Sequence, residues 1–402
     1  MKGKEKGSVF SILILLGVSH MFNDTLQNLV QAVYPMIKES LALNFSQIGI
    51  ITLVYQMAAS IFQPIIGAYT DRKPQPYSLP IGMTFTMIGI FSLAFASEFT
   101  HVLFSVFFCG IGSSIFHPEA SRLAHMASGG KRGLAQSIFQ VGGNFGGSLG
   151  PLLAALFIAP YGQQNIAWFS IISLVSIGVM LYISKWYKHR LLYIKANALP
   201  KEESKVEKRG GVLTKKVVFT LSILLLLIFS KYVYMSSLTS FYTFYLIEKF
   251  GVSIGQSQVY LFIFLFAVAA GTFLGGPIGD RFGRKYVIWF SILGAAPFAL
   301  IMPYADLIWT CILSVIIGLV LSSAFSAILV YAQELLPGKE GLIGGLFFGL
   351  AFGIAGISSA IFGNMADKHG IEYIYHIAAF MPLIGLIAGL LPNNKATAIE
   401  KE

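Results

Sequence analysis

Charged side chains are scarce in this chain. Lys, Arg, Asp and Glu make up 11% of its 402 residues, while 55% are hydrophobic and the mean hydropathy is +0.73. A soluble domain carries about 25% charged residues, so the composition excludes an ordinary soluble enzyme or binding module. Cysteine is nearly absent too: Cys109 and Cys311 both fall in apolar runs. That excludes a disulfide scaffold, and no metal-type Cys/His spacing appears. There is no Gly-x-x-x-x-Gly-Lys-Ser/Thr loop, which argues against an ATP-driven pump. No His-Glu-x-x-His occurs, which argues against an intramembrane zinc hydrolase. The period-two alternation of barrel strands is missing as well.

What is present is a series of long apolar runs. A hydrocarbon core of ~30 Å takes ~20 apolar residues per helix, and backbone groups cannot stay unpaired in lipid. Twelve spans are predicted: 9–34, 46–70, 78–98, 101–124, 133–159, 166–187, 217–246, 257–279, 286–303, 307–331, 341–365 and 372–392. Lys2, Lys4 and Lys6 before an apolar run imitate a secretory leader. That run carries His20, Asn23 and Asp24 and has no clear small-x-small cleavage site, so it is expected to be kept as the first span. With the amino terminus inside, Lys38, Lys249 and Lys368 are the only basic residues in outer loops, and Arg122 and Lys231 lie within spans. The other 23 of 28 Lys and Arg fall on the cytoplasmic side. This asymmetry predicts that both termini are cytoplasmic. It also accounts for the net charge of +10 without nucleic acid.

The polar stretch 188–216, including "KEESKVEKRGG", reads as a cytoplasmic linker between bundles 1–187 and 217–402. The halves repeat. "GAYTDRKPQPY" (67–77) matches "GPIGDRFGRKY" (276–286) at an offset of 209, and "GKRGL" (130–134) matches "GKEGL" (338–342) at 208. Two six-helix bundles in the same orientation suit alternating access, with a site between them near the bilayer midplane.

"GPIGDRFGRK" (276–285) resembles the cytoplasmic loop motif of the major facilitator superfamily, and "GAYTDRK" (67–73) resembles its first-half counterpart, departing at Pro74 and Pro76. "HMFNDTLQNLVQAVYP" (20–35), "YTDRKPQPYSLP" (69–80) and "SSIFHPEASRLAHMASGGKRGLAQSIFQVGGN" (113–144) are similar to the fosmidomycin-resistance efflux family. Gly146-x-x-x-Gly150-Pro151 resembles part of the drug–proton antiporter motif, without its upstream glycine. The resemblance implies an all-α inner-membrane (plasma-membrane) protein of twelve transmembrane helices that exports a phosphonate antibiotic in exchange for protons. It also implies that the aspartates matching the loop motif latch the cytoplasmic side, here Asp71 and Asp280 with Arg72, Arg281 and Arg284. A carboxylate near the positive end of a helix would do so. Plain topological anchoring by the same basic residues remains open.

The first span carries His20, Asn23, Asp24, Gln27 and Gln31 at intervals of three and four, so they share a helical face. Intramembrane ionisable groups usually mark pathways, though such a stripe could also bond neighbouring helices. Lys231 lies midway along the seventh span in "SKYVYMSSLTSFYTFY". With Tyr234 and Tyr242 it is expected to hold an anionic solute, although these aromatics could equally be helix packing, and to face or bridge Asp24 in at least one state. In "SIFHPEASRLAH" (114–125), Glu119 and Arg122 are three apart and share a face, whereas His117 points elsewhere. Pro118 should distort that turn. Glu119 is read as a coupling-proton carrier gated by Arg122, with His117 relaying the proton or touching substrate, and Asp24 could load protons instead. The alternative is an ion pair that only stabilises the inner end. Phe325 and Ala327 stand at the repeat positions of His117 and Glu119, so the second half has no such group. Gln136, Gln140 and Asn144 form one face of the fifth span, as substrate ligands or helix glue. Gly146 and Gly150 are read as packing positions, with Pro151 bending the helix end.

The leading expectation is therefore a proton-coupled exporter of a small drug-like or phosphonate compound. A proton-coupled importer or exchanger of a small organic anion comes next, and an intramembrane enzyme using His117 and Glu119 is the reading from another class. A sensor on a transporter scaffold would call for a signalling segment that is not in this sequence. No cofactor, metal or catalytic group is expected. The expected partners are a small-molecule substrate, protons and the bilayer, with the chain acting as a monomer.

Overall fold

A computed structural model of the chain describes residues 2–129, 132–196, 214–336 and 340–392, and every regular element among them is helical. In chain order these are α1 (Lys2–Ala32), α2 (Tyr34–Ser40), α3 (Phe45–Arg72), α4 (Ser78–Ala94), α5 (Phe99–Ala127), α6 (Arg132–Leu153), α7 (Ser170–Ala196) and α8 (Lys215–Phe250). After them come α9 (Ile254–Phe282), α10 (Arg284–Leu293), α11 (Ala296–Ile301), α12 (Leu307–Ser322), α13 (Ala324–Leu335), α14 (Glu340–His369) and α15 (Ile371–Ala378). Local chemistry sets several ends. Asn44 and Gln47 form a reciprocal capping box at the start of α3, and Thr214 and Asp306 cap α8 and α12 through their side-chain oxygens. Gly251 ends α8 at φ 66°, a left-handed conformation that glycine adopts without steric penalty.

Among the described residues, ten helical segments are long and apolar enough to cross a bilayer, and α4 is apolar but shorter at 17 residues. The helices present large apolar side chains outward, as lipid contact requires. Exposed aromatics gather at both ends of the long helices. Tyr161, Trp168, Tyr304 and Trp309 mark the end that holds Phe45, and Tyr69, Tyr77, Tyr193 and Tyr286 mark the end that holds Arg72. Such girdles are where amphipathic rings sit at a membrane–water boundary.

The local structure adds detail to these expectations. Pro118 lies inside α5, which runs on from Phe99 to Ala127. Beyond Pro151 the backbone widens into a π-helical turn, Ala154–Ile158. The proposed linker is helical at both margins, because α7 continues to Ala196 and α8 begins at Lys215. The remainder of that linker, 197–213, lies outside the described residues. The ninth predicted span is divided into α10, α11 and a 3-10 turn, Met302–Tyr304, and the twelfth into α15 and a 3-10 run, Met381–Leu390.

Two seams organise the packing. Helix α1 lies on α6, where a Cβ added to Gly142, Gly146 or Gly150 would collide with the α1 backbone at Gly17, Met21 and Leu29. Small residues thus let two helices approach to backbone contact. Helix α3 lies antiparallel on α14, from Phe45 against Gly363 to Pro64 against Gly345. This seam joins the parts of the chain before and after 197–213, as does the contact of α6 with α9.

Candidate functional site

The polar stripe of α1 meets α5 and α6 deep in the molecule. The Asp24 carboxylate is the centre: Oδ2 lies 3.2 Å from His20 Nε2, one turn earlier, and Oδ1 lies 3.5 Å from His117 Nε2 on α5. Asn23 Nδ2 donates to Asp24 Oδ1 at 3.0 Å. Both imidazoles are buried, whereas the Asp24 side chain keeps 19% of its exposure. Each ring is anchored on its other nitrogen. His20 Nδ1 donates to the Phe139 carbonyl at 2.7 Å, and His117 Nδ1 to the Ser113 carbonyl at 3.0 Å. His20 stacks on Phe139 of α6 with ring centres 4.0 Å apart, and the close approach of Gly143 leaves room for the ring. Gln27, one turn beyond Asp24, accepts a hydrogen bond from Ser113 Oγ at 3.3 Å.

One turn along α5, the opposite face carries a second cluster. Glu119 is fully buried, with Oε1 2.5 Å from Arg122 Nη2, and Oε2 accepts from Ser78 Oγ of α4 at 2.9 Å. Arg122 also donates to the Tyr187 hydroxyl of α7 at 2.6 Å and to the Thr70 carbonyl of α3 at 3.1 Å. The pair therefore ties α3, α4, α5 and α7 together near the Arg72 end. His117 and Glu119, two residues apart, do face different neighbours, as the helical geometry requires.

Lys231 is buried on α8 and does not meet Asp24. Its ammonium lies over the rings of Tyr232 and Phe325, 5.6 and 5.5 Å from their centres, and among the described residues it meets no carboxylate. Cation–π contact compensates part of the lost hydration. Phe325 packs edge-on against Phe348 of α14, and Phe352, one turn on, packs against His117. An aromatic wall on α14 thus connects the lysine with the Asp24 cluster. Tyr234 and Tyr242 turn into the packing around α8: Tyr234 reaches Met302 Sδ at 3.9 Å and Tyr242 donates to Ser314 Oγ at 3.1 Å. Gln140 and Asn144 are half-buried on α6.

At the Arg72 end, the side chains of Asp71, Arg72, Asp280 and Arg281 lie outside the described residues, and Arg284 is half-buried at the start of α10. At the opposite end the structure has a contact that the sequence reading did not single out. Asp367 of α14 accepts from the backbone N–H of Phe45 and Ser46 at 2.8 and 2.7 Å, and from Ser46 Oγ at 2.5 Å. Phe45 in turn packs on Phe241 and Phe244 of α8, with ring centres 6.5 and 5.3 Å away.

The chain matches the sequence pattern of the Major Facilitator Superfamily over residues 16–266 and again over 224–401. It is 56% identical over 388 residues to the fosmidomycin resistance protein of Escherichia coli (strain K12), covering 96% of this chain and 94% of that one. It is 45% identical over 390 residues to the uncharacterized MFS-type transporter YfnC of Bacillus subtilis (strain 168), covering 96% and 94%. In fold it resembles a bacterial homolog of the human lysosomal transporter Spinster in an inward-facing and occupied conformation. That match has a TM-score of 0.73 at 16% identity over 95% of each chain. The apolar helices and these relatives make it a multi-pass protein of the inner membrane and a secondary transporter, not an enzyme. Its sequence and its helical architecture together make this chain a member of the Major Facilitator Superfamily, in the fosmidomycin-resistance family.

Proposed function

We propose that the chain exports a small anionic compound of the phosphonate type, such as fosmidomycin, in exchange for protons. In this reading twelve helices span the membrane, both termini are cytoplasmic, and bundles 1–187 and 217–402 alternate about the 188–216 linker. The chain works as a monomer on its substrate, protons and the bilayer. Lys231 carries the proposal: it is a buried ammonium with aromatic neighbours and, among the described residues, no acid beside it. Leaving a charge buried and unpaired costs several kcal/mol, and an arriving phosphonate relieves that cost. The name of the Escherichia coli relative supplies the compound class.

Asp24 takes the coupling proton in this proposal, because it is the carboxylate of the two clusters that keeps exposure. His20 and His117 steady it, with Asn23, Gln27, Gln140 and Asn144 lining the approach. Glu119 and Arg122 form the inner tie that must loosen as the first bundle tilts. Asp71, Arg72, Asp280, Arg281 and Arg284 latch the cytoplasmic rim.

The test is transport in proteoliposomes with an imposed pH gradient, using labelled fosmidomycin. Lys231→Met is expected to raise the half-saturating concentration about tenfold or more, as loss of a charged hydrogen bond of ~1.5–3 kcal/mol implies. Asp24→Asn is expected to abolish the response to the pH gradient while sparing substrate exchange. Transport that ignores both the gradient and Lys231→Met would overturn the proposal. Accumulation with the gradient reversed would favour the import of an organic anion.

A further inference from the structure

The geometry points to a binding site for one divalent transition-metal ion at His20, Asp24 and His117. A backbone carbonyl only accepts hydrogen bonds. The Phe139 and Ser113 carbonyls therefore fix the proton of each neutral imidazole on Nδ1 and leave the Nε2 lone pair facing Asp24. Two imidazole lone pairs and a carboxylate converging on one point repel one another until a cation, either a proton or a metal ion, joins them. The three donor atoms all lie within 4.8 Å of one another. Metal bonds of ~2.1 Å in a tetrahedron put neighbouring ligands ~3.4 Å apart. His20 Nε2 lies 3.2 Å from Asp24 Oδ2 and His117 Nε2 lies 3.5 Å from Asp24 Oδ1, so the two nitrogens flank the carboxylate at about that spacing.

The surroundings are those of a ligating set. Each histidine gives its second nitrogen to a carbonyl, and Asn23 holds the carboxylate, the supporting contacts that fix ligand direction in metal sites. Stacking on Phe139 and the lack of a side chain at Gly143 hold the His20 ring in one plane. Two imidazoles and one carboxylate favour zinc, cobalt or nickel over magnesium or calcium, which prefer all-oxygen sets. Three protein ligands leave a fourth position, and Asp24 is the ligand with exposure through which water or a chelating anion could reach it.

The inference concerns the coupling site of the proposed function. A bound ion occupies the Asp24 oxygens and arrests the transport cycle, so zinc in the micromolar range inhibits export. The experiment titrates the purified full-length protein in detergent with ZnCl2 by calorimetry and with CoCl2 by visible absorption, then assays transport with and without ZnCl2. One ion per chain is expected, with cobalt bands displaced by zinc. His20→Ala and His117→Ala are each expected to weaken zinc at least tenfold, whereas exposed His369→Ala is expected to leave it unchanged. His117→Asn serves if the alanine variants do not elute as single species. Zinc affinity that is indifferent to the His20 and His117 variants, or no binding at about 100 µM zinc, well above the expected range, overturns the site. Metal binding without proton-driven transport would sink the functional reading instead and leave the site standing.

Discussion

Removing the charge of Asp367 should open the end of the molecule that holds Phe45. This carboxylate takes two backbone N–H groups and one hydroxyl from the first turn of α3, at 2.5–2.8 Å. Hydrogen bonds to a charged acceptor contribute ~1.5–3 kcal/mol when shielded, and an anion at a helix N-terminus adds ~0.3–1 kcal/mol. Asp367 is exposed, so screening reduces both. Asp367→Asn keeps one acceptor oxygen but turns an amide donor toward a second donor, and a loss of about 1–2 kcal/mol follows. That corresponds to a shift of about 5–30-fold in the balance between closed and open forms. Spin labels at the exposed Glu39 and Lys368, with both cysteines replaced, should report a longer-distance population in the variant. Gly363→Ala should move the balance the same way, since its Cβ would overlap the Phe45 carbonyl. An unchanged distance distribution in both variants would refute the view that this contact holds the two parts together.

Other outcomes follow from the same coordinates. Glu119→Gln strands the part-buried Arg122 guanidinium, so the detergent-solubilised protein should lose about 3 kcal/mol. Adding Arg122→Gln should restore most of this in a thermal unfolding assay, and a double variant no more stable than the single one would contradict the pairing. Gly146→Val should prevent α1 and α6 from meeting at Met21, and it should cut the yield of folded protein far more than Gly178→Val, which faces open space. Equal yields would show that the seam tolerates separation.

The sequence exposes some of this arrangement because a helix has a fixed period. The stripe from His20 through Gln27 and the Glu119–Arg122 pair are both local, three- and four-residue relations, and the structure has them. Glycine at every fourth position similarly marks Gly146 and Gly150 as close-packing positions, though not α1 as the helix they meet. Convergence of His117 on Asp24 joins α1 to α5, and the cap of α3 by Asp367 joins residues 321 or 322 apart. No local pattern encodes such pairings, and Asp367 looks like an ordinary charge at a helix end. The expectation that Lys231 faces Asp24 in at least one state rests on their similar depth in the two halves. Depth says nothing about the Phe325 and Tyr232 rings that receive the ammonium.

The α3–α14 seam is not uniform along its length. Added Cβ atoms at Gly49 and Gly363 would strike backbone at the Phe45 end, whereas Gly349 and Gly345 keep 3.6 and 3.9 Å from their nearest neighbours toward the other. Two rods in backbone contact at one tip, and joined toward the other by the hydrogen bond from Ser60 Oγ to the Gly349 carbonyl at 2.6 Å, would behave as tongs once that bond is released. Over the 28 residues of α3, about 40 Å at ~1.5 Å each, a swing of about 10° at the pinned tip displaces the free tip by about 7 Å. Under the proposed export function, a drug-sized solute would need roughly that aperture, and a tilt too small to disturb either helix internally would supply it.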